Sequence, residues 1–470
     1  MTENGAPLAG LPNPEEIPQS LVAKYATRGP RYTSYPTAPQ FRKDIDRDEM
    51  AARWQRGNLG HPKDLSLYFH IPFCRTRCWF CGCHVVIKRD PASADPYVAS
   101  LIDEMTLAGR LIDRHRPVRQ IAFGGGTPTF LTPVQLDRLL SSVAEQWTIA
   151  ADAEVSIEVD PRTVTPDHIE PLLAHGVNRF SLGVQDFDEQ ILAMLHRPQS
   201  RETTERVVAQ LRSRGCSAIN FDLIYGLPGQ TVESSARTVG ATIEMRPSRI
   251  AFYHYAHVPW LKPHQKLVER RGLPDSALKL RIFGQAYRML TAAGYVSIGM
   301  DHFALREDEM ARALQDRTLH RNFMGYTTRR GLEQIAFGVS GISSVAATYA
   351  QNEKELPAYY HAVESRRLPW ERGFLMSEDD CARRDLIIDL FCNFYLDAAA
   401  FGQRWDLDFG RAFKREIAAL RAFEADGLVD ISDDEIEVTP VGRYFIRNIC
   451  MVFDRYLEPE SGTRTYSQTL

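Results

Sequence analysis

From Leu65 onward, short β-rich runs alternate with amphipathic helical stretches six times, and this alternation constrains the fold more than any other feature. The runs are 65–71, 120–123, 154–159, 179–184, 219–224 and 250–255. Helical text follows at 97–114, 133–147, 166–175, in two stretches ending at 214, and at 232–245. Strands separated by helices lie parallel, because only a long crossover returns the chain to the same edge. Right-handed crossovers then curl the sheet. The expected class is α/β, a partial (β/α)6 TIM-like barrel, with a doubly wound open sheet as the structural alternative. Helix boundaries carry their own signals. Thr132-Pro133-Val134-Gln135 reads as a cap, a Pro at the first position and a capping-box Gln, and Thr165-Pro166 repeats the logic. Gly176 and Gly215 suit helix C-termini.

The rest of the chain divides around this core. Residues 1–64, rich in Pro and Gly, read as an N-terminal arm with a short helix near 48–56. The main domain is expected over 65–368, with a further helix at 277–293 and a strand at 295–298. Residues 369–470 read as a smaller, mostly helical domain, with helices at 383–391 and 409–425. It ends in Gly427-Leu-Val-Asp-Ile431, an acidic turn at Ser432–Glu435 and Ile436-Glu-Val-Thr-Pro440, a winged-helix-like hairpin. Its mixed charge favours a structural lid or cap over DNA binding.

Composition excludes several classes. A net charge of -4 over 470 residues carries no basic surplus for nucleic acid. The N-terminus has neither a basic nor an apolar leader region, and no run approaches the ~18–20 apolar residues of a membrane helix. A cytoplasmic monomer without nucleic-acid or membrane partners is the expectation. In such a reducing compartment, cysteines signal metal or redox chemistry rather than disulfides. Cys216, Cys381, Cys392 and Cys450 are scattered and read as buried small hydrophobes. Cys74, Cys78, Cys81 and Cys83 fall within ten residues.

Thiolates are ligands for soft metals, so Cys74-x-x-x-Cys78-x-x-Cys81 points to iron–sulfur or zinc. Structural zinc takes two separated cysteine pairs, and no second pair follows. Three ligands on a four-iron cube leave one iron open to a small chelating molecule. The other strand ends agree in kind. Gly124-Gly-Gly-Thr-Pro-Thr129 follows the second run, Glu158 and Asp160 mark the third, and Gln185 the fourth. Asp222 lies on the fifth, and Ala256 and His257 end the sixth. Parallel α/β folds place sites at these C-terminal strand ends. The glycine run lets a ligand approach the backbone, but lacks the spacing of a P-loop or a dinucleotide fingerprint.

With Cys-x₃-Cys-x-Phe-Cys after the first strand and GGGTPT after the second, the chain resembles the radical S-adenosylmethionine superfamily. Further stretches resemble the oxygen-independent coproporphyrinogen III oxidase family. They are Gly29-Pro-Arg-Tyr-Thr-Ser-Tyr-Pro36, Cys81-Gly-Cys83, Ser156-Ile-Glu-Val-Asp160, Gly183-Val-Gln-Asp-Phe187 and Asp222-Leu-Ile-Tyr-Gly-Leu-Pro228. Gly299-Met-Asp-His-Phe303, His320-Arg-Asn-Phe323 and Arg447-Asn-Ile-Cys450 complete the set, from about residue 25 to the C-terminus.

The resemblance implies a [4Fe–4S] cluster on Cys74, Cys78 and Cys81, with Cys83 outside the ligand set. It implies two S-adenosylmethionine molecules. Tyr68, Phe80, Gly125, Glu158 and Ile342 would serve the one on the cluster; Gly126, Thr127, Gln185, Arg197, Asp222 and Ala256 would serve the second. Glu158 and Asp222 suit ribose hydroxyls or an ammonium, and Arg197 suits a carboxylate. The implied reaction converts two propionates of coproporphyrinogen III to vinyls, giving protoporphyrinogen IX in haem biosynthesis, with a low-potential electron donor protein as partner. Arg31, His320 and Arg321 are candidate cationic anchors for the substrate propionates, and His70 is expected to order the cluster loop. Met324 stands where the family has a glutamine, and a thioether cannot donate a hydrogen bond. Rival readings are a haem-binding chaperone, a radical methyltransferase acting on haem and a zinc-stabilised interaction protein. The Arg31-Tyr-Thr-Ser-Tyr-Pro36 arm and the Cys-Gly-Cys ending favour the oxidase.

Overall fold

The structure, a computed structural model, describes residues 11–457 together with Tyr466 and Thr469. The first ten residues of the expected arm and the remainder of the C-terminal tail lie outside the described residues.

All six expected strands form: β1 (Leu65–Ile71), β2 (Val118–Gly125), β3 (Ile149–Val159), β4 (Arg179–Gln185), β5 (Ile219–Tyr225) and β6 (Arg249–His254). Each pairs in parallel with the next, so chain order is spatial order. The crossovers are α1 (Asp95–Ala108), α2 (Pro133–Gln146), α3 (Pro166–Ala174), the pair α4 (Glu189–Met194) and α5 (Arg201–Ser213), and α6 (Val232–Met245). Leu65, Leu67, Phe69 and Ile71 are fully buried, as expected for a strand inside a parallel sheet. Among the described residues no pairing closes β6 onto β1, so the barrel is partial. The expected caps are made: Thr132 and Gln135 exchange hydrogen bonds in a capping box at α2. Gly176 and Gly215 take the left-handed conformation that ends α3 and α5.

The sequence reading lacked what lies on the other side of β1. There β7 (Glu333–Phe337) adds a seventh parallel strand, followed by antiparallel β8 (Ile342–Val345), β9 (Thr348–Asn352) and β10 (Trp370–Leu375). These strands bury Gln334, Ser343, Thr348, Gln351 and Asn352. Their polar side chains are hydrogen-bonded locally, as where Ser343 Oγ accepts from the Ala336 amide at 2.9 Å and Gln334 Nε2 donates to Ile342 O at 3.1 Å. Gln334 Oε1 is nevertheless buried without a partner among the described residues. A buried strand built this way shows no apolar alternation.

The chain divides into two compact units. The sheet-bearing unit comprises Phe41–Pro274 and Gly331–Leu375. The other comprises Asp275–Arg330 and the described parts of Met1–Gln40 and Met376–Leu470. Linear boundaries at 64/65 and 368/369 cut across this arrangement, because residues distant in sequence share a core. In the second unit Tyr32 and Tyr35 of the arm are buried with Ile298, Leu314, Leu386, Phe391 and Ile449. Its C-terminal part is mostly helical, with helices Glu378–Asn393, Ala398–Trp405, Lys414–Ala425 and Ile446–Met451. The expected winged-helix-like hairpin pairs Val429–Ile431 with Glu435–Val438. No described helix is long and apolar enough to cross a membrane.

One buried carboxylate ties the β7 side of the sheet to α1. Glu104 accepts from the Gly338 amide at 2.8 Å, Asn352 Nδ2 at 2.6 Å and the Tyr359 hydroxyl at 2.7 Å. Burial nonetheless pushes its carboxyl up to about 7, against these donors. A folded-state value above the ordinary 4.5 means that its contribution to stability is full at low pH and is lost as pH rises through about 7. Tyr359→Phe removes one donor to the charged form. It is expected to cost about 1–3 kcal/mol at pH 8 and less at pH 5, read from urea denaturation at the two pH values; an equal cost at both would contradict this.

Candidate active site

The site begins where β1 and β2 end side by side. After Ile71 the chain turns through Pro72 into the short strand Phe73–Cys74, which pairs with Val86–Ile87 and so closes the cysteine loop at its base. The glycine run crosses directly beneath. The Gly126 amide donates to Ile71 O at 2.8 Å, and the Thr127 amide to Phe73 O at 2.9 Å. A Cβ on Gly126 would lie 2.6 Å from Pro72 O, and one on Gly125, where φ is +113°, would lie 2.6 Å from the His70 ring. Glycine is therefore needed at 126 for backbone-to-backbone approach and at 125 for its positive φ and the close His70 ring.

Two further contacts order the loop. His70 Nε2 bonds the His84 carbonyl at 3.1 Å, so Nε2 carries the proton, and Nδ1 accepts from the Tyr68 hydroxyl at 3.1 Å. Burial lowers His70 to about 4, which keeps it neutral and preserves this tautomer. The second brace comes from residues that sequence reasoning missed. His264 donates to Cys81 O at 2.8 Å and Lys262 to Cys83 O at 2.9 Å. The fully buried Gln265 donates to both Phe80 O, at 3.0 Å, and Ala256 O, at 3.2 Å. A polar segment after the last strand carries no motif; its only signal was proximity in sequence to Ala256.

The cysteines differ in surroundings. Cys74 Sγ lies 3.3 Å from Thr127 Oγ1, and burial pushes its thiol up to about 12. Cys78 Sγ faces two guanidiniums, Arg197 Nη1 at 3.6 Å and Arg162 Nη2 at 4.0 Å. Cys81 turns toward Cys83, whose hydrogen bond lowers the Cys81 thiol to about 6. All eight cysteines are free. The three thiols share one loop, but among the described residues no group of three or more His, Cys, Asp or Glu side chains has metal-holding geometry.

A charged cradle adjoins Cys78. Arg197 Nη1 pairs with Asp160 at 3.3 Å, and Arg162 pairs with the same carboxylate at 2.6 Å. Burial alone would raise Asp160, but the two arginines outweigh it and hold it at about 2. Arg197 Nη2 donates to Gly183 O at 2.5 Å, while its Nε is buried without a partner. A Cβ on Gly183 would meet Gln185 Nε2 at 2.8 Å and Arg197 Nη2 at 3.2 Å, so these two side chains meet over that glycine. Gln185 itself has φ +70°. Beside them Glu158 accepts from the Gly125 amide at 3.1 Å. Burial, then the Asp222 charge, raises Glu158 to about 7, and burial raises Asp222 to about 6.

The sheet-bearing unit therefore carries Cys74, Cys78, Cys81, Gly125, Gly126, Thr127, Glu158, Gln185 and Arg197 at or beyond strand ends, while Tyr68 and Asp222 lie mid-strand in β1 and β5. Gln265 links Phe80 to Ala256. Ile342 opens β8, with its carbonyl accepting from Gln334 at 3.1 Å. Arg31, His320 and Arg321 belong to the other unit. Met324 sits in the turn between His320–Asn322 and Gly325–Thr327, its amide donating to Asn322 Oδ1 at 2.9 Å.

A parallel partial barrel carrying a three-cysteine loop after its first strand defines the class of radical S-adenosylmethionine enzymes. Accordingly, residues 68–239 match the Radical SAM superfamily and residues 376–445 match the HemN C-terminal domain. The chain is 43% identical to the oxygen-independent coproporphyrinogen III oxidase of Salmonella typhimurium, over 96% of this chain and 98% of the relative. Identity to that of Synechocystis is 40%, over 97% and 98%. The solved coproporphyrinogen III oxidase of Escherichia coli, described as a radical SAM enzyme, superposes with a TM-score of 0.89 at 41% identity, covering 94% of this chain and 99% of that one. The chain belongs to the oxygen-independent coproporphyrinogen III oxidase family.

Gly126→Ala tests the backbone crossing. It is expected to destabilise the sheet-bearing unit by about 1–3 kcal/mol and to lose most of the iron bound on anaerobic reconstitution. Iron per chain and far-UV circular dichroism read this; full iron at unchanged stability would contradict it.

Proposed function

We propose that this enzyme carries out the oxygen-independent oxidative decarboxylation of two propionates of coproporphyrinogen III, giving protoporphyrinogen IX in haem biosynthesis. The observation that carries the proposal is the Cys74–Cys81 loop, braced against the glycine run at the ends of β1 and β2. The residues fit a [4Fe–4S] cluster. The loop offers three thiols and no disulfide, and Arg162 and Arg197 beside Cys78 favour an anionic thiolate centre. When bound, the cluster and S-adenosylmethionine would supply radical chemistry able to take hydrogen from a propionate β-carbon, with carbon dioxide leaving and one electron passing to an external one-electron acceptor.

The chain's own residues bind, orient and shield. Cys74, Cys78 and Cys81 hold the cluster, and Cys83 stays outside the ligand set. Tyr68, Phe80, Gly125, Glu158 and Ile342 serve the S-adenosylmethionine on the cluster. Glu158 is fixed by the Gly125 amide, which aims its free oxygen as an acceptor for ribose hydroxyls or the ammonium. Gly126, Thr127, Gln185, Arg197, Asp222 and Ala256 serve a second S-adenosylmethionine. The unpartnered Arg197 Nε suits a carboxylate there. His70, held neutral, positions Tyr68 and the loop and transfers no proton. Arg31, His320 and Arg321 anchor substrate propionates. A low-potential electron donor protein supplies the reducing electron, and the enzyme works in the cytoplasm as a monomer, without nucleic-acid or membrane partners.

Anaerobic reconstitution followed by turnover with coproporphyrinogen III, reductant and S-adenosylmethionine tests the reading; absence of both CO₂ and 5′-deoxyadenosine would contradict it. Cys74→Ala, Cys78→Ala and Cys81→Ala are each expected to lose iron and activity, whereas Cys83→Ala keeps its iron. Retention of a four-iron cluster by any of the first three would overturn the ligand set. Glu158→Gln is expected to raise KM for S-adenosylmethionine about tenfold, by removing an acceptor for a charged donor. An unchanged KM would remove Glu158 from the binding site.

A further inference from the structure

The unit built from the arm, Asp275–Arg330 and the C-terminal helices holds buried donors on Arg321 and Tyr326 that have no acceptor among the described residues. Arg321 is 6% exposed, and its Nε and Nη1 are buried without partners. The Tyr326 hydroxyl, two residues beyond the turn and facing back along the hairpin, is likewise buried and unpartnered. The two side chains are stacked, with the guanidinium 4.6 Å from the Tyr326 ring centre and 5.6 Å from that of Phe391. Their donors are therefore fixed in direction by packing.

Three guanidiniums act electrostatically on a single carboxylate here. Asp301 interacts with Arg31, Arg321 and Arg447. Arg447 is committed to the arm, donating from Nε to Pro30 O at 3.0 Å and from Nη2 to Gly29 O. It thereby pins the backbone immediately before Arg31. Arg31 makes a long contact to Asp301, 3.4 Å, and keeps 29% of its side chain exposed. Burial, with the Arg31 charge adding to it, lowers Arg447 to about 9, and the Asp301 charge opposes this. Buried N–H groups without acceptors, and buried charge without counter-charge, are each costly. Both costs are relieved by one incoming anion that accepts hydrogen bonds. Gly299 lets the Tyr326 hydroxyl pack close to the backbone, since a Cβ there would lie 2.5 Å from it.

We propose that Arg321, Tyr326 and Arg31 form a carboxylate site that takes a propionate of the tetrapyrrole substrate, with Asp301 and Arg447 as its positioning residues. The proposal rests on the oxidase reading and adds to it Tyr326, Asp301 and Arg447. It takes from Arg321 a defined pair of donors, Nε and Nη1. The carboxylate enters at the exposed Arg31 edge, displaces the long Arg31–Asp301 contact and is held from within by Arg321 and the Tyr326 hydroxyl. Planar guanidinium donors match the two oxygens of a carboxylate, which a lysine ammonium does not.

Binding of coproporphyrin III, the oxidised and fluorescent form of the substrate, to the reconstituted full-length enzyme tests this, with its tetramethyl ester as the uncharged control. Arg321→Gln and Tyr326→Phe are expected to weaken tetra-acid binding about ten- to a hundredfold and about tenfold respectively, and to leave ester binding unchanged. KM for coproporphyrinogen III should rise in parallel, with kcat falling less. Arg321→Lys keeps charge and volume, so its loss of tetra-acid affinity at wild-type thermal stability separates lost geometry from misfolding. Wild-type affinity in Arg321→Gln and Tyr326→Phe, or equal losses for acid and ester, overturns the site while the oxidase reading stands. A wild-type enzyme that releases no CO₂ overturns that reading, and this site with it.

Discussion

Everything at the catalytic end of this protein depends on two backbones passing within hydrogen-bonding distance. The chain leaving β1 through Pro72 and Phe73 lies directly over the chain leaving β2 through Gly126 and Thr127, joined by two amide–carbonyl bonds at 2.8 and 2.9 Å. No side chain fits between them, which is why glycine stands at 126. This crossing sets the height of the cysteine loop above the sheet and places Thr127 beside Cys74. It also presents the Gly125 amide to Glu158. Parallel pairing of β1 and β2 in register is what brings the two exits together.

Electrostatics divides the site along lines that suit its ligands. On one side Arg162, Arg197 and Asp160 form an ion-paired knot against Cys78. On the other, Glu158 and Asp222 are buried acceptors whose charged forms are strained until a donor arrives. A positively charged, hydroxyl-bearing sulfonium compound supplies such donors. In the second unit Arg321 has two buried donors without an acceptor among the described residues. Buried donors on Arg321 and Tyr326 suit an anionic ligand, as buried Glu158 and Asp222 suit a cationic one.

Much of this was legible in the sequence because the constraints were local. The β-α alternation predicted six strands in order, and Thr132, Gln135, Gly176 and Gly215 marked helix ends that form as expected. The strand-end positions of Glu158 and Gln185, and the place of Asp222 on β5, followed from the same periodicity. What was not legible depended on distance in the chain. Strands β7 to β10 hide because Gln334, Ser343, Thr348, Gln351 and Asn352 are buried and hydrogen-bonded instead of apolar. Gln265 reveals nothing until the fold brings it between Phe80 and Ala256. The linear arm, main domain and cap gave no sign that Tyr32 and Tyr35 share a core with the C-terminal helices. The roles of individual cofactor residues came from resemblance, since Tyr68 and Phe80 look like ordinary core aromatics by pattern.

The central claim is that hydrogen leaves the substrate by a radical generated at the Cys74–Cys78–Cys81 loop. Anaerobic turnover of coproporphyrinogen III deuterated at the propionate β-carbons, with mass analysis of the 5′-deoxyadenosine formed, tests it most directly. The account predicts deuterium in the 5′-deoxyadenosine together with CO₂ release. Release of CO₂ with unlabelled 5′-deoxyadenosine, or with none, would contradict it.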